Sequence, residues 1–321
     1  MTDVAITDAE YADVAVEAEV FEAAGLSWQR FDCRTERDVI TAAEAVDARA
    51  LLVQYAPITD PVLAALPALR VVSRYGTGYD NVDIEAATRH GVWVSNVPVY
   101  GTDEVAIHCY TLMLACVRGL SYYDAARRRG EWPISAVILP HPDELSVGVI
   151  GAGRIGRRVI ELATATFGSV GWYDPYPTTD LPGAIRYDTV DELLKGSNIV
   201  SVHLPLTRET VGTLGYREMS LLREPRILIN GARGAIVDEP GLTRAIEDGT
   251  LFAAGLDVLA NEPADPRGAL LQSERVIASP HAAWASEAAL VDVRRRAALN
   301  IVAALEAGRP NTPVNEVVVR P

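Results

Sequence analysis

An α/β architecture with two parallel sheets is the fold class the sequence predicts, and three observations predict it. Short apolar runs alternate with helix-patterned segments, the alternation restarts after residue 144, and 49% of the 321 residues are hydrophobic. That length allows about two domains of ordinary size, each with a core of its own.

Before residue 100 the runs Val4-Ala5-Ile6-Thr7, Ala50-Leu51-Leu52-Val53, Val71-Val72-Ser73-Arg74 and Val92-Trp93-Val94-Ser95 read as strands separated by helices. Strands spaced in this way imply a parallel sheet. From Asp103 to Arg129 apolar residues recur at helical spacing on more than one face, through Val105, Ile107, Leu112, Met113, Leu114 and Val117. Such a helix needs cover on several sides, from a second domain or a second subunit. The second series opens at Leu145-Ser146-Val147-Gly148-Val149-Ile150 and continues through 169–173, 199–202, 227–230 and 252–256. A last amphipathic helix, about 286–307, stops at Gly308 with Pro310 beyond it.

Charge and composition exclude several classes of function. With 29 Lys+Arg against 43 Asp+Glu the formal net charge is -14, which opposes binding to nucleic acid or to an anionic membrane surface. Arg127-Arg128-Arg129 follows a helix-like run and reads as cations at a helix C-terminus. No segment approaches the roughly 18 apolar residues of a membrane helix, and the N-terminal stretch is acidic rather than signal-like. A cytoplasmic protein is expected. Cys33, Cys109 and Cys116 form neither a CxxC pair nor an even disulfide set. On one helix Cys109 and Cys116 would stand about 10 Å apart along the axis, so buried free thiols and no metal are expected.

After the strand ending at Ile150 comes Gly151-Ala152-Gly153-Arg154-Ile155-Gly156, and then a helical pattern. Gly151 suits a tight turn, Gly153 a close approach of pyrophosphate to the backbone, and Gly156 close helix–strand packing. The helix N-terminus would receive the phosphates. Asp174 follows 18 residues after Gly156, at the end of the next apolar run, where a carboxylate can accept from ribose hydroxyls. It would repel a 2′-phosphate, and Pro175-Tyr176-Pro177 offers no arginine to bind one. Strand, fingerprint, helix and acid in this order predict a Rossmann-type site for NAD rather than NADP.

Hydride chemistry on an acid substrate needs a group to hold a carboxylate and a group to exchange a proton. Arg233, in Asn230-Gly231-Ala232-Arg233-Gly234, directly follows an apolar run and so lies at the sheet's carboxyl edge, where its planar fork can grip an oxyanion. His281 follows Ser279-Pro280, and imidazole suits acid/base exchange. Glu262, 19 residues earlier, could supply a carboxylate that fixes the ring tautomer, although spacing alone does not bring the two together. Taken singly, an Arg or Glu in a loop is usually solvated and a His usually packed or on the surface. His90, His108, His141 and His203 are given no catalytic part.

At this point the sequence resembles the D-isomer-specific 2-hydroxyacid dehydrogenases over nearly its whole length. Six ordered motifs carry the resemblance: Val149-Ile150-Gly151-Ala152-Gly153-Arg154-Ile155-Gly156, His203-Leu204-Pro205-Leu206-Thr207, Asn230 to Glu239, Gly255-Leu256-Asp257-Val258, Asn261-Glu262-Pro263 and Ser279-Pro280-His281. The segments Ser73 to Asp83 and Pro280 to Glu287 look most like the C-terminal-binding-protein branch and nearby phosphoglycerate-dehydrogenase-like enzymes.

The resemblance implies that Arg233 binds the substrate, His281 is the acid/base and Glu262 orients it. It implies that Tyr75, Gly76, Thr77 and Gly78 meet the substrate carboxylate through backbone N–H groups, and that Arg74 and Trp284 line the pocket. Around the cofactor it implies Gly151, Gly153, Arg154, Ile155, Gly156, Asp174, His203, Pro205, Thr207 and Ala232, with Asp257 on the nicotinamide carboxamide. In one place the chain departs from the family, which commonly has an acidic residue after Ala106; here Ile107 and His108 follow. The expected architecture is a Rossmann-type NAD domain, 99–287, inserted in a flavodoxin-like parallel-sheet substrate domain, 1–98 plus 288–321. A homodimer through the NAD domain is expected.

The reaction so implied is hydride transfer between nicotinamide and C2 of a D-2-hydroxy or 2-keto acid. Arg74 together with Arg233 would favour a substrate with a second anionic group, a phosphate, phosphonate or carboxylate. Two rivals stay open: a non-catalytic NAD(H)-responsive interaction protein, and a dehydrogenase of another oxyanion such as phosphite or formate. Fold alone does not fix the substrate.

Overall fold

A computed structural model describes residues 3–176 and 179–317. Pro177, part of the stretch following Asp174, lies outside the described residues. The chain divides into two compact units, Met1–Gly101 with Ser286–Pro321, and Thr102–Ala285.

The first unit is built on five parallel strands, β1 (Val4–Ile6), β2 (Trp28–Arg30), β3 (Ala50–Val53), β4 (Val71–Arg74) and β5 (Trp93–Ser95), in the order β2-β1-β3-β4-β5. This is the flavodoxin order, with its switch point between β1 and β3. Leu51, Val53, Val72 and Val94 join a core with Val39, Val62, Leu63 and Ala86. The helix Glu287–Ala307 packs on β3, β4 and β5 and beside the helix Ala15–Ala23.

Seven parallel strands form the second unit: β6 (Ser146–Ile150), β7 (Ser169–Tyr173), β8 (Ile185–Arg186), β9 (Ile199–Val202), β10 (Ile227–Asn230), β11 (Ala253–Leu256) and β12 (Val276–Ala278). Their order is β12-β11-β10-β9-β6-β7-β8, so the direction of winding reverses between β6 and β9. Ligands in such sheets bind beyond the carboxyl ends of the strands at that reversal. Two strands, β2 and β8, have no counterpart in the apolar runs. Both are short edge strands in which Gln29, Arg30, Ile185 and Arg186 are exposed, so neither gives an unbroken apolar run.

The continuous helix expected over 103–129 is two helices, Thr102–Val117 and Leu120–Arg128, bent by 64°. Gly119 takes φ 59 at the break, and a Cβ there would lie 2.7 Å from Val137, so the segment that crosses the break enforces it. Cover for the first of these helices comes from within the unit: Ala106, Cys109, Leu112, Met113 and Cys116 share the core of the β6 sheet and the helix Arg154–Thr164. All three cysteines are free and buried, and burial pushes their thiols up to about 11 for Cys33 and about 12 for Cys109 and Cys116. Arg127 and Arg128 pair with Asp124, while Arg129 pairs with Glu131 and Glu274. Among the described residues no single helix is long and apolar enough to cross a membrane, and no group of three His, Cys, Asp or Glu could hold a metal ion.

Candidate active site

The loop after β10 is organised by Asn230, a buried residue at the strand end. Its Nδ2 donates to the Arg233 carbonyl at 3.0 Å and its Oδ1 accepts from the Ala232 N–H at 3.1 Å. Arg233 Nη1 in turn donates to the Ala232 carbonyl at 2.7 Å, which fixes the guanidinium beside the sheet edge. A Cβ on Gly234 would lie 1.9 Å from the Leu259 carbonyl carbon, so only glycine lets the loops after β10 and β11 press together. That approach brings Arg233 within electrostatic reach of Glu262.

Glu262 and His281 meet. Glu262 Oε2 lies 2.7 Å from His281 Nδ1, and Oε1 accepts from the Leu259 N–H at 3.0 Å, so both carboxylate oxygens are held. Burial opposes the charge of Glu262, but the His281 hydrogen bond, the Leu259 amide and the charges of His281 and Arg233 outweigh it and hold the carboxyl below its ordinary range. With Nδ1 engaged, the imidazole keeps Nε2 for exchange with a ligand.

His281 also has φ 54, a left-handed conformation uncommon outside glycine. The turn that imposes it is wrapped around Asp257. Asp257 Oδ1 accepts from Ser279 Oγ at 2.7 Å, from the Ala282 N–H at 2.9 Å and from the Ala283 N–H at 3.1 Å, and its main-chain carbonyl accepts from the His281 N–H at 2.7 Å. Trp284 follows directly and is half-buried.

The fingerprint occupies the carboxyl end of β6. Gly151 has φ 94, and a Cβ on Gly156 would stand 1.9 Å from the Gly151 carbonyl oxygen, as tight packing of helix on strand requires. At Gly153 a Cβ would meet nothing within 4 Å, so the space a pyrophosphate needs is open, in front of the helix that starts at Arg154 and Ile155. Asp174, at the end of β7, accepts from the Ala152 N–H at 2.7 Å and from the Tyr176 N–H at 2.9 Å, so it shapes the glycine turn as well as facing it. His203 Nε2 lies 2.8 Å from Ser201 Oγ, and desolvation pushes its imidazole down to about 4, which keeps it neutral. Its main chain approaches Gly151 closely, with 2.6 Å between the His203 carbonyl oxygen and a Cβ at that glycine. Pro205 and Thr207 are exposed in the loop after β9, tied by Thr210, whose Oγ1 donates to the Pro205 carbonyl and accepts from the Thr207 N–H at 2.8 Å each. These residues fit a dinucleotide: a tight turn, open backbone, a helix N-terminus and an acid.

The loop after β4 belongs to the other unit. Gly76 has φ 106, and a Cβ on it would lie 2.2 Å from Arg74 Nη1 and 3.2 Å from the Tyr100 hydroxyl, so the guanidinium lies against the glycine. Asn96 Nδ2 donates to the Thr77 carbonyl, Thr77 Oγ1 to the Val97 carbonyl, and the Val97 N–H to the Gly76 carbonyl. Tyr75 is buried beneath, and its hydroxyl donates to Glu17 at 2.8 Å. Glu17 is itself fully buried and accepts from Arg294 Nε at 2.9 Å and Nη2 at 2.7 Å, the guanidinium lying 4.9 Å from the Tyr11 ring. Sequence reasoning passed over Glu17, Arg294, Tyr100 and Asn96, and it named Asn230 only as part of a motif, not as the residue that organises the Arg233 loop. It also passed over Asp8, which caps the Gln54, Tyr55 and Ala56 amides at the β1/β3 switch point.

The family model described as "D-isomer specific 2-hydroxyacid dehydrogenase, NAD binding domain" matches residues 110–283. The chain belongs to this family. It is 33% identical over 274 residues to a glyoxylate reductase of Korarchaeum cryptofilum, covering 82% of this chain and 81% of that one. A D-3-phosphoglycerate dehydrogenase of Mycobacterium bovis is 39% identical over 249 residues, 77% of this chain but 47% of that protein, so the chain spans about half the length of this relative. A D-lactate dehydrogenase from Aquifex aeolicus, solved with NAD and lactic acid, superposes with a TM-score of 0.84 at 27% identity, over 95% of this chain and 96% of that one. The resemblance drawn from the six motifs, the two-sheet α/β fold and NAD as cofactor are thereby borne out, and the chain is an NAD-dependent D-2-hydroxyacid dehydrogenase.

Proposed function

We propose that the enzyme reduces a 2-keto acid carrying a second anionic group to the D-2-hydroxy acid, with Arg233, Glu262 and His281 as its catalytic set. The observation that carries the finer reading is the Arg74 guanidinium lying against Gly76. A cation held against a glycine turn suits an oxyanion more than an apolar side chain. The name of the phosphoglycerate dehydrogenase relative includes a phosphorylated acid, whereas glyoxylate, in the name of the other, has no side-chain anion.

Arg233 holds the substrate carboxylate and carbonyl, and the 76–78 amides bind the carboxylate. Trp284 contacts the substrate, whereas Tyr75, expected to offer its N–H to the substrate, instead donates that N–H to the Val53 carbonyl at 2.9 Å and supports the turn from beneath. His281 donates the proton from Nε2 to the C2 oxygen while Glu262, ionised, keeps Nδ1 as the donor on the other side of the ring. Reduced nicotinamide, when bound, supplies the hydride to C2. Asp174 selects NAD through the ribose, the fingerprint residues Gly151 to Gly156 take the pyrophosphate, and His203, Pro205, Thr207 and Ala232 border the cofactor. Asp257 would take the nicotinamide carboxamide when the cofactor is bound. The unit bearing the fingerprint is the NAD domain, and the unit bearing the 74–78 loop is the substrate domain.

We place the enzyme in the cytoplasm, as a homodimer formed through the NAD domain. The support for the dimer is an apolar segment that no part of its unit covers: Trp132 is 77% exposed, Ile134 86% and Ile138 81%. A second copy of the same segment is the occupant proposed, and a sedimentation mass equal to one chain at micromolar concentration would overturn it.

The test of function is NADH oxidation with a panel of 2-keto acids bearing apolar, carboxylate, phosphate and phosphonate side chains, with NADPH as the control. A preference of about tenfold or more in kcat/KM for dianionic substrates, lost in Arg74→Ala, is expected. Equal efficiency across the panel removes the second anion and leaves the dehydrogenase. Absence of turnover despite NADH binding would favour an interaction role or another oxyanion.

A further inference from the structure

We infer that His108 is a positioning residue for the catalytic turn, acting through Ser279 and Asp257. The inference rests on the reading of His281 as the acid/base and extends it to a residue on a different element. His108 sits on the helix Thr102–Val117, beyond the point where the family's acidic residue is replaced by Ile107. Its Nε2 is 2.8 Å from Ser279 Oγ, and the Ser279 hydroxyl is 2.7 Å from Asp257 Oδ1.

The direction of these bonds follows from the inventory of protons. An ionised carboxylate only accepts, so the Ser279 hydroxyl gives its one proton to Asp257, and His108 Nε2 must therefore donate to Ser279 Oγ. The resulting chain runs from the helix to the carboxylate around which the 279–283 turn is wound. That turn carries His281 at φ 54, a conformation it holds only because its surroundings over-determine it. Asp257 supplies most of that determination, with Oδ1 taking three donors and its carbonyl taking the His281 N–H. Oδ2 accepts from the Ala283 N–H at 3.1 Å.

His108 thus does two things at once. It turns the Ser279 hydroxyl toward Oδ1, and it ties the turn to the helix Thr102–Val117. Without the donor, Ser279 Oγ can rotate, and the turn loses one of the bonds that fix its direction. Substrate held by Arg233 would still bind, but His281 Nε2 would meet the C2 oxygen in fewer encounters. The effect belongs in kcat rather than in the KM of the keto acid.

The experiment compares His108→Ala and His108→Gln in the full-length enzyme, with His281→Ala as the control for the underlying reading. Alanine suits a half-buried helical site whose side chain makes one hydrogen bond, and should leave the circular dichroism spectrum and thermal midpoint close to wild type. We expect kcat to fall roughly tenfold in His108→Ala with the keto-acid KM changed less than about twofold. His108→Gln, whose amide can donate from a similar reach, should restore most of the loss. Adding Ser279→Ala to His108→Ala should lower kcat no further, because both act through one chain of bonds. If His281→Ala is inactive but His108→Ala turns over normally, or if the glutamine fails to rescue or the double variant is additive, the positioning role is overturned. If His281→Ala itself retains turnover, the fault lies in the acid/base reading instead.

Discussion

Two carboxylates in this molecule each lie 2.7 Å from a nitrogen base, one an imidazole and one a guanidinium, and the two pairs have opposite uses. Glu262 and His281 lie on loops with side chains 35% and 29% exposed, while Glu17 and Arg294 join two helices with side chains 0% and 8% exposed. The first pair can meet a ligand and exchange a proton. The second cannot, and instead fixes the burial of Tyr75 under the Gly76 turn. Distance alone says nothing of role; access to solvent and ligand does.

Removing one member from each pair should separate the two uses. The largest effect is expected in His281→Ala, with kcat reduced on the order of 10²–10⁴-fold while NADH binding, read by fluorescence titration, stays near wild type. Arg233→Ala should lose more kcat/KM than Arg233→Lys, since a lysine retains charge but not the fork. Near-normal turnover in His281→Ala would dismiss the exposed pair as the site of chemistry.

Glu17→Ala should act on stability. Leaving Arg294 buried without its partner is expected to destabilise the protein by about 3–5 kcal/mol, seen as a lowered denaturant midpoint. Glu262→Gln, at the exposed pair, should change that midpoint by less than about 1 kcal/mol. Equal losses from both would mean that burial does not distinguish them.

The smallest effect concerns pH. His203 has its folded pKa depressed to about 4, below the unfolded value of about 6.5. The unfolded chain therefore binds the proton first, and stability falls as pH drops from about 6.5 toward 4, by at most about 1.4 kcal/mol per unit from this group. His203→Gln should flatten the decline in thermal midpoint over that window. An unchanged slope would place the acid sensitivity elsewhere.

What the sequence disclosed was local. The glycines of 151–156 are needed by their own turn and helix, and the buried central strands are unbroken apolar runs, so both could be read in order. The edge strands β2 and β8 left no such trace because half of each faces solvent. The break at Gly119 depends on Val137, and the helical period runs through it unaltered. Arg233, Glu262 and His281 could be named from motifs, but the meeting of Glu262 with His281 depends on how the loops after β11 and β12 fold. The Glu17–Arg294 pair spans 277 positions and offers no local pattern at all. His108 looked like any helical histidine until Ser279 was seen beside it.

The same long-range pair has a consequence for how the chain is made. β1 to β5 and the helix Ala15–Ala23 leave the ribosome early, yet Arg294 and the helix that covers β3, β4 and β5 follow only after the whole of Thr102–Ala285. At about 5–20 residues per second that interval lasts roughly 10–40 s. Through it Glu17 waits for its cation and one face of the first sheet stays bare, while the later unit already has every residue its core needs. Synthesis thus completes the middle of the protein before its beginning.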